Sequence, residues 1–118
     1  MLDKLEDKKR TEINPDNDEL LMVAFCEGDE EAFVLLVNRY KDRIVNYIYK
    51  YTKDIERSEE IAQEVFIRVF RSRGRYSVKA KFSTFIYRIA MNLAFNEIRD
   101  RSRRKTDVAE DFPTLTRE

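Results

Sequence analysis

Residues that interrupt helices are scarce in this sequence, and their positions limit what it can fold into. The only glycines are Gly28 and Gly74, and the only prolines are Pro15 and Pro113. Because glycine and proline are the residues least favourable inside helices, long helices can form between these positions. A chain of 118 residues has room for one domain with a single modest core. The sequence therefore predicts an all-α fold, a compact bundle of three long helices plus a shorter N-terminal helix.

The helices are predicted from capping residues and from apolar residues spaced three and four positions apart. The short helix starts at a cap among residues 16–18 and runs to Gly28. The second helix, capped by Asp29, runs from Glu30 to about Thr52 and is predicted to be the longest. The third follows a cap at Asp54 or Ser58 and ends at Gly74.

The fourth predicted helix carries two stripes of different chemistry. Ser83 or Thr84 is expected to cap it, and it is expected to end near Arg104. The apolar stripe is predicted to be core and comprises Phe82, Ile86, Ile89 and Leu93. The second stripe offers amides and guanidinium groups, which suit phosphates and base edges, and comprises Arg88, Asn92, Asn96, Arg99 and Arg103.

The formal net charge of zero hides a segregation of charge along the chain. Residues 1–64 hold 10 Lys and Arg against 17 Asp and Glu, a net charge of −7, whereas residues 65–118 hold 13 against 6, a net charge of +7. Residues 65–105 alone hold 12 basic residues against 2 acidic ones. Because these basic residues are interleaved with aromatics and amides, we expect a surface that binds a polyanion rather than an ordinary solvated face.

Composition also disfavours several classes of function. Cys26 is the sole cysteine and there is no histidine, so we expect neither a disulfide within the chain nor a protein-only zinc site. No Gly-rich phosphate loop and no pair of nucleophile and base is apparent, so we expect no enzyme activity and no cofactor. No apolar run approaches the ~20 residues that span a bilayer, and the N-terminus lacks the apolar stretch of a signal peptide, so we expect a cytoplasmic protein without membrane insertion.

Three segments, in this order and spacing, resemble region 2 of bacterial sigma factors, and most of all the extracytoplasmic-function group. They are GDEEAFVLLVNRY, SEEIAQEVFIRVFRS and KFSTFIYRIAMNLAFNEIRDRSRR. The resemblance covers residues 19 to 104 and implies a sigma-70 region 2 fold. Phe85 stands where the family often has tryptophan, and the loop YSVKAK matches no motif of the family.

The resemblance implies that this domain binds core RNA polymerase and the promoter −10 element, read as an unpaired nontemplate strand. Glu60, Gln63 and Glu64 would contact the clamp helices of the largest polymerase subunit. The residues implied to contact DNA are Arg75, Tyr76, Lys79, Lys81, Phe82, Arg88, Asn92, Asn96, Arg99, Arg103 and Arg104. Tyr76 and Phe82 would form the walls of a base pocket, although Phe82 is expected mainly to pack in the core. Asn92 and Asn96 would read base edges. Family members are commonly silenced by an anti-sigma factor, which is therefore an expected partner.

The same resemblance suggests how the chain is divided. We expect a flexible arm over residues 1–15, the region 2 domain over residues 16–104, and the start of an interdomain linker over residues 105–118, with the second DNA-binding domain absent.

Two other functions are compatible with the residues alone. A helical regulator of another family would read duplex DNA, and would bind duplexes better than single strands. A helical adaptor that binds only proteins through its acidic half would show no salt-dependent affinity for oligonucleotides.

Overall fold

A computed structural model of the protein describes residues 17–77 and 80–111, with side chains through residue 104. Within these residues the chain forms helices and no strand, which confirms the predicted all-α fold. The helices are α1 (Asp18–Cys26), α2 (Glu30–Thr52), α3 (Ile55–Arg71) and α4 (Phe82–Asp111). Helices α2 and α4 each contact all of the other three.

Short polar side chains begin three of the helices, as predicted. The Asn17 side chain accepts the Leu20 N–H at 2.9 Å, and the Asp54 carboxylate accepts the Arg57 N–H at 3.0 Å. Asp29 accepts two backbone N–H groups at the start of α2. Each cap satisfies amides that have no partner inside the helix. Ser58, the alternative cap for α3, is instead buried, and its hydroxyl lies 2.6 Å from that of Thr52.

Two turns that reverse the chain direction use left-handed backbone. Gly28 adopts a φ of 111°, which places it in the region where glycine is favoured. Lys53 ends α2 with a φ of 58°, and its N–H bonds to the Tyr49 carbonyl. Helix α3 ends at Arg71, before the predicted stop at Gly74, because the chain turns at Ser72.

The predicted cap of α4 was wrong. The helix begins at Phe82, since the Phe85 N–H bonds to the Lys81 carbonyl at 3.0 Å, so neither Ser83 nor Thr84 can be the cap. A carboxylate from another helix fills this role, because Glu19 of α1 accepts the Phe82 N–H at 2.5 Å. A partner 63 positions away is invisible to a search for local caps.

The predicted bounds of α2 are confirmed, but the prediction that it is the longest helix was wrong, because α4 is longer. It has 30 residues against 23 in α2, and it continues past Arg104 to Asp111. No glycine or proline occurs between Arg104 and Pro113 to interrupt it. The segment predicted as the start of a linker, 105–118, is therefore helical through residue 111. The predicted arm over residues 1–15 and the segment 112–118 lie outside the described residues.

The core is formed by one side of every helix. Phe82 and Ile86 are fully buried as predicted, whereas Ile89 and Leu93 are only half-buried. Ala90 and Ala94 complete the buried stripe of α4 and let the helix backbone approach its neighbours closely. The buried hydrophobic residues are Leu21, Met22, Phe25, Ala32, Leu36, Tyr40, Ile44, Ile48, Ile61, Ala62, Val65, Val69, Phe82, Ile86, Ala90 and Ala94.

A buried carboxylate extends this stripe and ties α4 to α3. Glu97 is 8% exposed and accepts hydrogen bonds from Arg57 of α3 at 2.9 Å and from Arg101 at 3.3 Å. Arg101 also donates to the Thr52 carbonyl at 2.6 Å, where α2 ends. The arrangement satisfies a buried charge and joins three helices at one end of the bundle.

Replacing Glu97 with alanine should lower the free energy of unfolding by about 1–3 kcal/mol, because two guanidinium groups lose their shared acceptor. Asp100→Ala, at an exposed position one turn further along, is the matched control and should change stability by less than about 0.5 kcal/mol. Urea unfolding followed by circular dichroism measures both. Equal stability of the two variants would contradict the assigned role of Glu97.

Candidate nucleic-acid and protein interfaces

The solvent side of α4 carries most of the polar residues predicted to contact DNA. Arg88, Asn92, Arg99 and Arg103 follow at steps of four, seven and four, so they lie on one side of the helix, and all four are exposed. We call these four residues the recognition face. They combine three fixed positive charges with one amide, which can donate and accept hydrogen bonds at a single base edge.

Asn96 lies at the edge of this face, beside Arg103, whereas Arg104 lies away from it. Asn96 borders a groove between α3 and α4, with a volume of about 330 Å³, that Glu60 and Glu64 also line. Its side-chain oxygen accepts a hydrogen bond from Arg99 at 2.6 Å, so it orients one guanidinium group of the recognition face. Arg104 follows Arg103 directly, so its side chain projects about 100° further around the helix axis. It lies on the side of α4 that is buried at Ile86 and Ala90, although Arg104 itself is exposed.

The loop before α4 brings further residues predicted to contact DNA to the start of α4. The Tyr76 hydroxyl donates to the Ala80 carbonyl at 2.7 Å, and its ring lies 5.4 Å from that of Phe85. Burial, followed by the nearby carboxylates of Glu19 and Asp18, raises the pKa of Tyr76 to about 12. Arg75 and Lys81 are exposed, whereas Lys79 lies outside the described residues.

Phe82 serves the core rather than the surface. Its side chain is 0% exposed and packs between the rings of Tyr40, at 5.4 Å, and Tyr76, at 6.2 Å. The packing role predicted for Phe82 is confirmed. Its predicted contact with DNA is not possible in this conformation, because other rings cover it.

The residues predicted to bind polymerase lie on the outer side of α3. Gln63 is exposed, Glu60 accepts from Arg57 at 2.9 Å, and Glu64 accepts from Arg68 at 3.1 Å. Surface ion pairs of this kind contribute little to stability. Both carboxylates can therefore exchange their internal partners for arginines of another protein at low cost.

The sequence pattern did not single out two apolar residues of α3 that share this surface. Ile67 is 42% exposed and Phe70 is 37% exposed. Ile67 follows Gln63 by four positions and Glu64 by three, so it lies among the predicted contacts. Both are apolar residues at positions outside the buried stripe of α3. An apolar residue off the core spacing was the one feature of the sequence that could have identified them.

The described residues offer little support for other kinds of site. No group of three or more cysteine, aspartate or glutamate side chains among them could hold a metal ion. None of the described helices is long and apolar enough to cross a membrane. Burial raises the pKa of the Cys26 thiol, which disfavours the reactive thiolate form.

Comparison with known proteins identifies similar sequences over most of these helices. The model of the sigma-70 region 2 family matches residues 36–104. The RNA polymerase sigma-H factor of Pseudomonas aeruginosa is 35% identical over 102 residues, which cover 84% of this chain and 53% of that protein. The ECF RNA polymerase sigma factor SigW of Bacillus subtilis is 41% identical over 73 residues, covering 62% of this chain and 39% of that protein. The chain thus spans about half or less of the length of these relatives.

A solved structure shares the fold. An engineered region 2 of sigmaE, determined by NMR in complex with GTAAAA, is 34% identical and superimposes with a TM-score of 0.67. The match covers 75% of this chain and 92% of that one.

The burial of Tyr76, which raises its pKa, predicts a specific dependence of stability on pH. Since the pKa of Tyr76 is higher in the folded protein than the usual value near 10, its contribution is complete below about pH 10 and is lost as the pH rises towards 12. Tyr76→Phe should therefore be less stable than the parent by about 0.5–1.5 kcal/mol at pH 8, with a difference that shrinks above pH 10. Urea unfolding at several pH values measures it, and a difference that stays constant to pH 11.5 would contradict the account.

Proposed function

This chain belongs to the sigma-70 region 2 family, and we propose that it is the promoter-recognition and core-polymerase-binding domain of an extracytoplasmic-function sigma factor. In this role it captures the unpaired nontemplate strand of the −10 element at the start of transcription. The observation that carries the proposal is the recognition face of α4, an exposed row of cations around one amide on a helix whose other side is buried.

The chemistry of this face suits an unpaired strand. Arg88, Arg99 and Arg103 can bind successive phosphates without regard to sequence, and Asn92 can form two hydrogen bonds to one base edge. An unpaired base exposes its Watson–Crick edge to protein side chains, whereas pairing hides that edge. The sigmaE neighbour, which is 34% identical, was solved with GTAAAA, and this supports the same class of ligand here.

The proposed pocket for a displaced base lies at the start of α4. Tyr76 and Phe85 contribute half-buried rings there, and Arg75 and Lys81 contribute exposed charges. The buried ring of Phe82 packs against both of these rings, at 6.2 Å from each. The Tyr76 hydroxyl is occupied by Ala80, so the ring rather than the hydroxyl is the part available to a base.

Helix α3 supplies the proposed polymerase contact. Glu60, Gln63 and Glu64 would bind arginines of the clamp helices of the largest subunit, and Ile67 would be buried at the centre of that contact. Apolar residues surrounded by exchangeable polar groups are typical of binding hot spots. In this proposal the polymerase performs the phosphodiester chemistry, the domain works in the cytoplasm, and an anti-sigma factor silences it by covering these surfaces.

Asn92→Ala should weaken binding to a single strand that contains GTAAAA by about 1–3 kcal/mol, with a much smaller effect on a scrambled strand. The loss falls on discrimination because the phosphate contacts remain. Asn92 is exposed, so the melting temperature should not change. Fluorescence anisotropy measures both affinities, and Asn38→Ala, an exposed asparagine on α2, is the matched control. Equal weakening on both strands would remove Asn92 from base recognition.

The combined change of Gln63→Lys and Glu64→Arg should abolish co-purification with core polymerase, because it places like charges against the clamp helices. The matched control introduces the same charges on the outer side of α2 through Asn46→Lys and Asp42→Arg, both at exposed positions. Circular dichroism checks that both variants keep their helical content. Retained co-purification of the α3 variant would reject the assigned docking surface.

A further inference from the structure

A row of aromatic side chains runs along the boundary between α2 and α4. Tyr47 lies 5.2 Å from Tyr87 across the two helices, and Tyr51 lies 5.6 Å from Phe95 one turn further along. Tyr47 and Tyr51 are themselves 5.4 Å apart. We call these four residues the aromatic seam. Neither the proposed base pocket nor the proposed polymerase contact uses them.

The outer end of the seam is not part of the core. Tyr51 is 39% exposed although it stands at a helical spacing that predicts burial, and Phe95, on the side of α4 away from Ile86, is 48% exposed. The ring planes of Tyr51 and Phe95 meet at 86°, an edge-to-face contact in which only one ring presents its face to the other. Aromatic faces thus remain open to solvent, where a flat ligand can stack on them.

The residues beside the seam indicate the charge of its ligand. On α2, Arg43 and Lys50 lie four before and three after Tyr47, and the Arg43 guanidinium lies 5.5 Å from the Tyr40 ring centre. On α4, Asn92 and Arg99 lie three before and four after Phe95. These flanking positions are basic or amide and none is acidic. Cations along both edges of an aromatic surface suit a nucleic-acid strand, whose phosphates follow the stacked bases.

We propose that the aromatic seam is a base-stacking subsite for unpaired nucleotides next to those held by the recognition face. The inference rests on the proposed function, because Asn92 and Arg99 belong to both surfaces. Stacking on aromatic rings tolerates any base, so the seam adds affinity and length to the bound strand without adding sequence preference.

The absence of tryptophan from the chain allows a direct test. Phe95→Trp keeps an aromatic ring and introduces a single tryptophan, which can be excited selectively over the tyrosines and whose emission a stacked base quenches. Titration with a single strand that carries GTAAAA and extends by several nucleotides at each end should quench this emission with the same midpoint as binding measured by anisotropy. Tyr49→Trp is the control, because Tyr49 is 41% exposed but lies two positions from Tyr51, on a different side of α2. Its emission should not change.

Affinities give the second readout. Tyr51→Leu and Phe95→Leu should each weaken the extended strand about fivefold or more, whatever its sequence, while Tyr49→Leu leaves it unchanged. The hexamer GTAAAA alone should show a smaller loss, since fewer of its bases reach the seam. The stacking role of the aromatic seam would be rejected if the single strand bound without quenching at position 95 and the leucine variants kept the parent affinity. The proposed function would remain intact. Failure of the parent chain to prefer single strands over duplex would overturn both.

Discussion

Burial of one side of α4 determines what the rest of the molecule can do. Phe82, Ile86, Ala90 and Ala94 are completely enclosed, so the rotation of the helix about its axis is fixed. That rotation is what places Asn92 and the arginines of the recognition face in solvent. A side chain projected from a helix packed in this way needs little ordering when a ligand arrives, which lowers the cost of binding.

Polar contacts fix α4 at both ends of the bundle. Glu19 accepts the first N–H of the helix, and Glu97 binds Arg57 and Arg101 about four turns later. Arg57 also donates to Glu60, a residue of the proposed docking surface, and the hydrogen bonds with Glu60 and then Glu97 raise the pKa of Arg57. One guanidinium group therefore contacts both the helix proposed to bind polymerase and the helix proposed to bind DNA. The two surfaces are parts of one packed unit.

Much of this arrangement could be predicted from local patterns. Caps at Asn17, Asp29 and Asp54 and the spacing of apolar residues were sufficient to locate the helices and the exposed side of α4. The cap of α4 could not be predicted, because it comes from another helix. Tyr51 occupies a core spacing of α2 yet remains exposed, since burial depends on which neighbour covers each position. Such contacts depend on how distant segments pack together, and the spacing of apolar residues along the chain does not reveal this.

The central claim is that the domain holds an unpaired strand while it is bound to polymerase. Its most direct test compares the affinities of a nontemplate −10 strand, its complement and the duplex, each with and without core polymerase, at fixed salt concentration. The account predicts that the nontemplate strand binds more tightly than its complement and the duplex, and that core polymerase retains this order. Tighter binding to duplex would identify a reader of duplex grooves, and salt-independent or absent binding would identify a protein-only adaptor; either result would contradict the account.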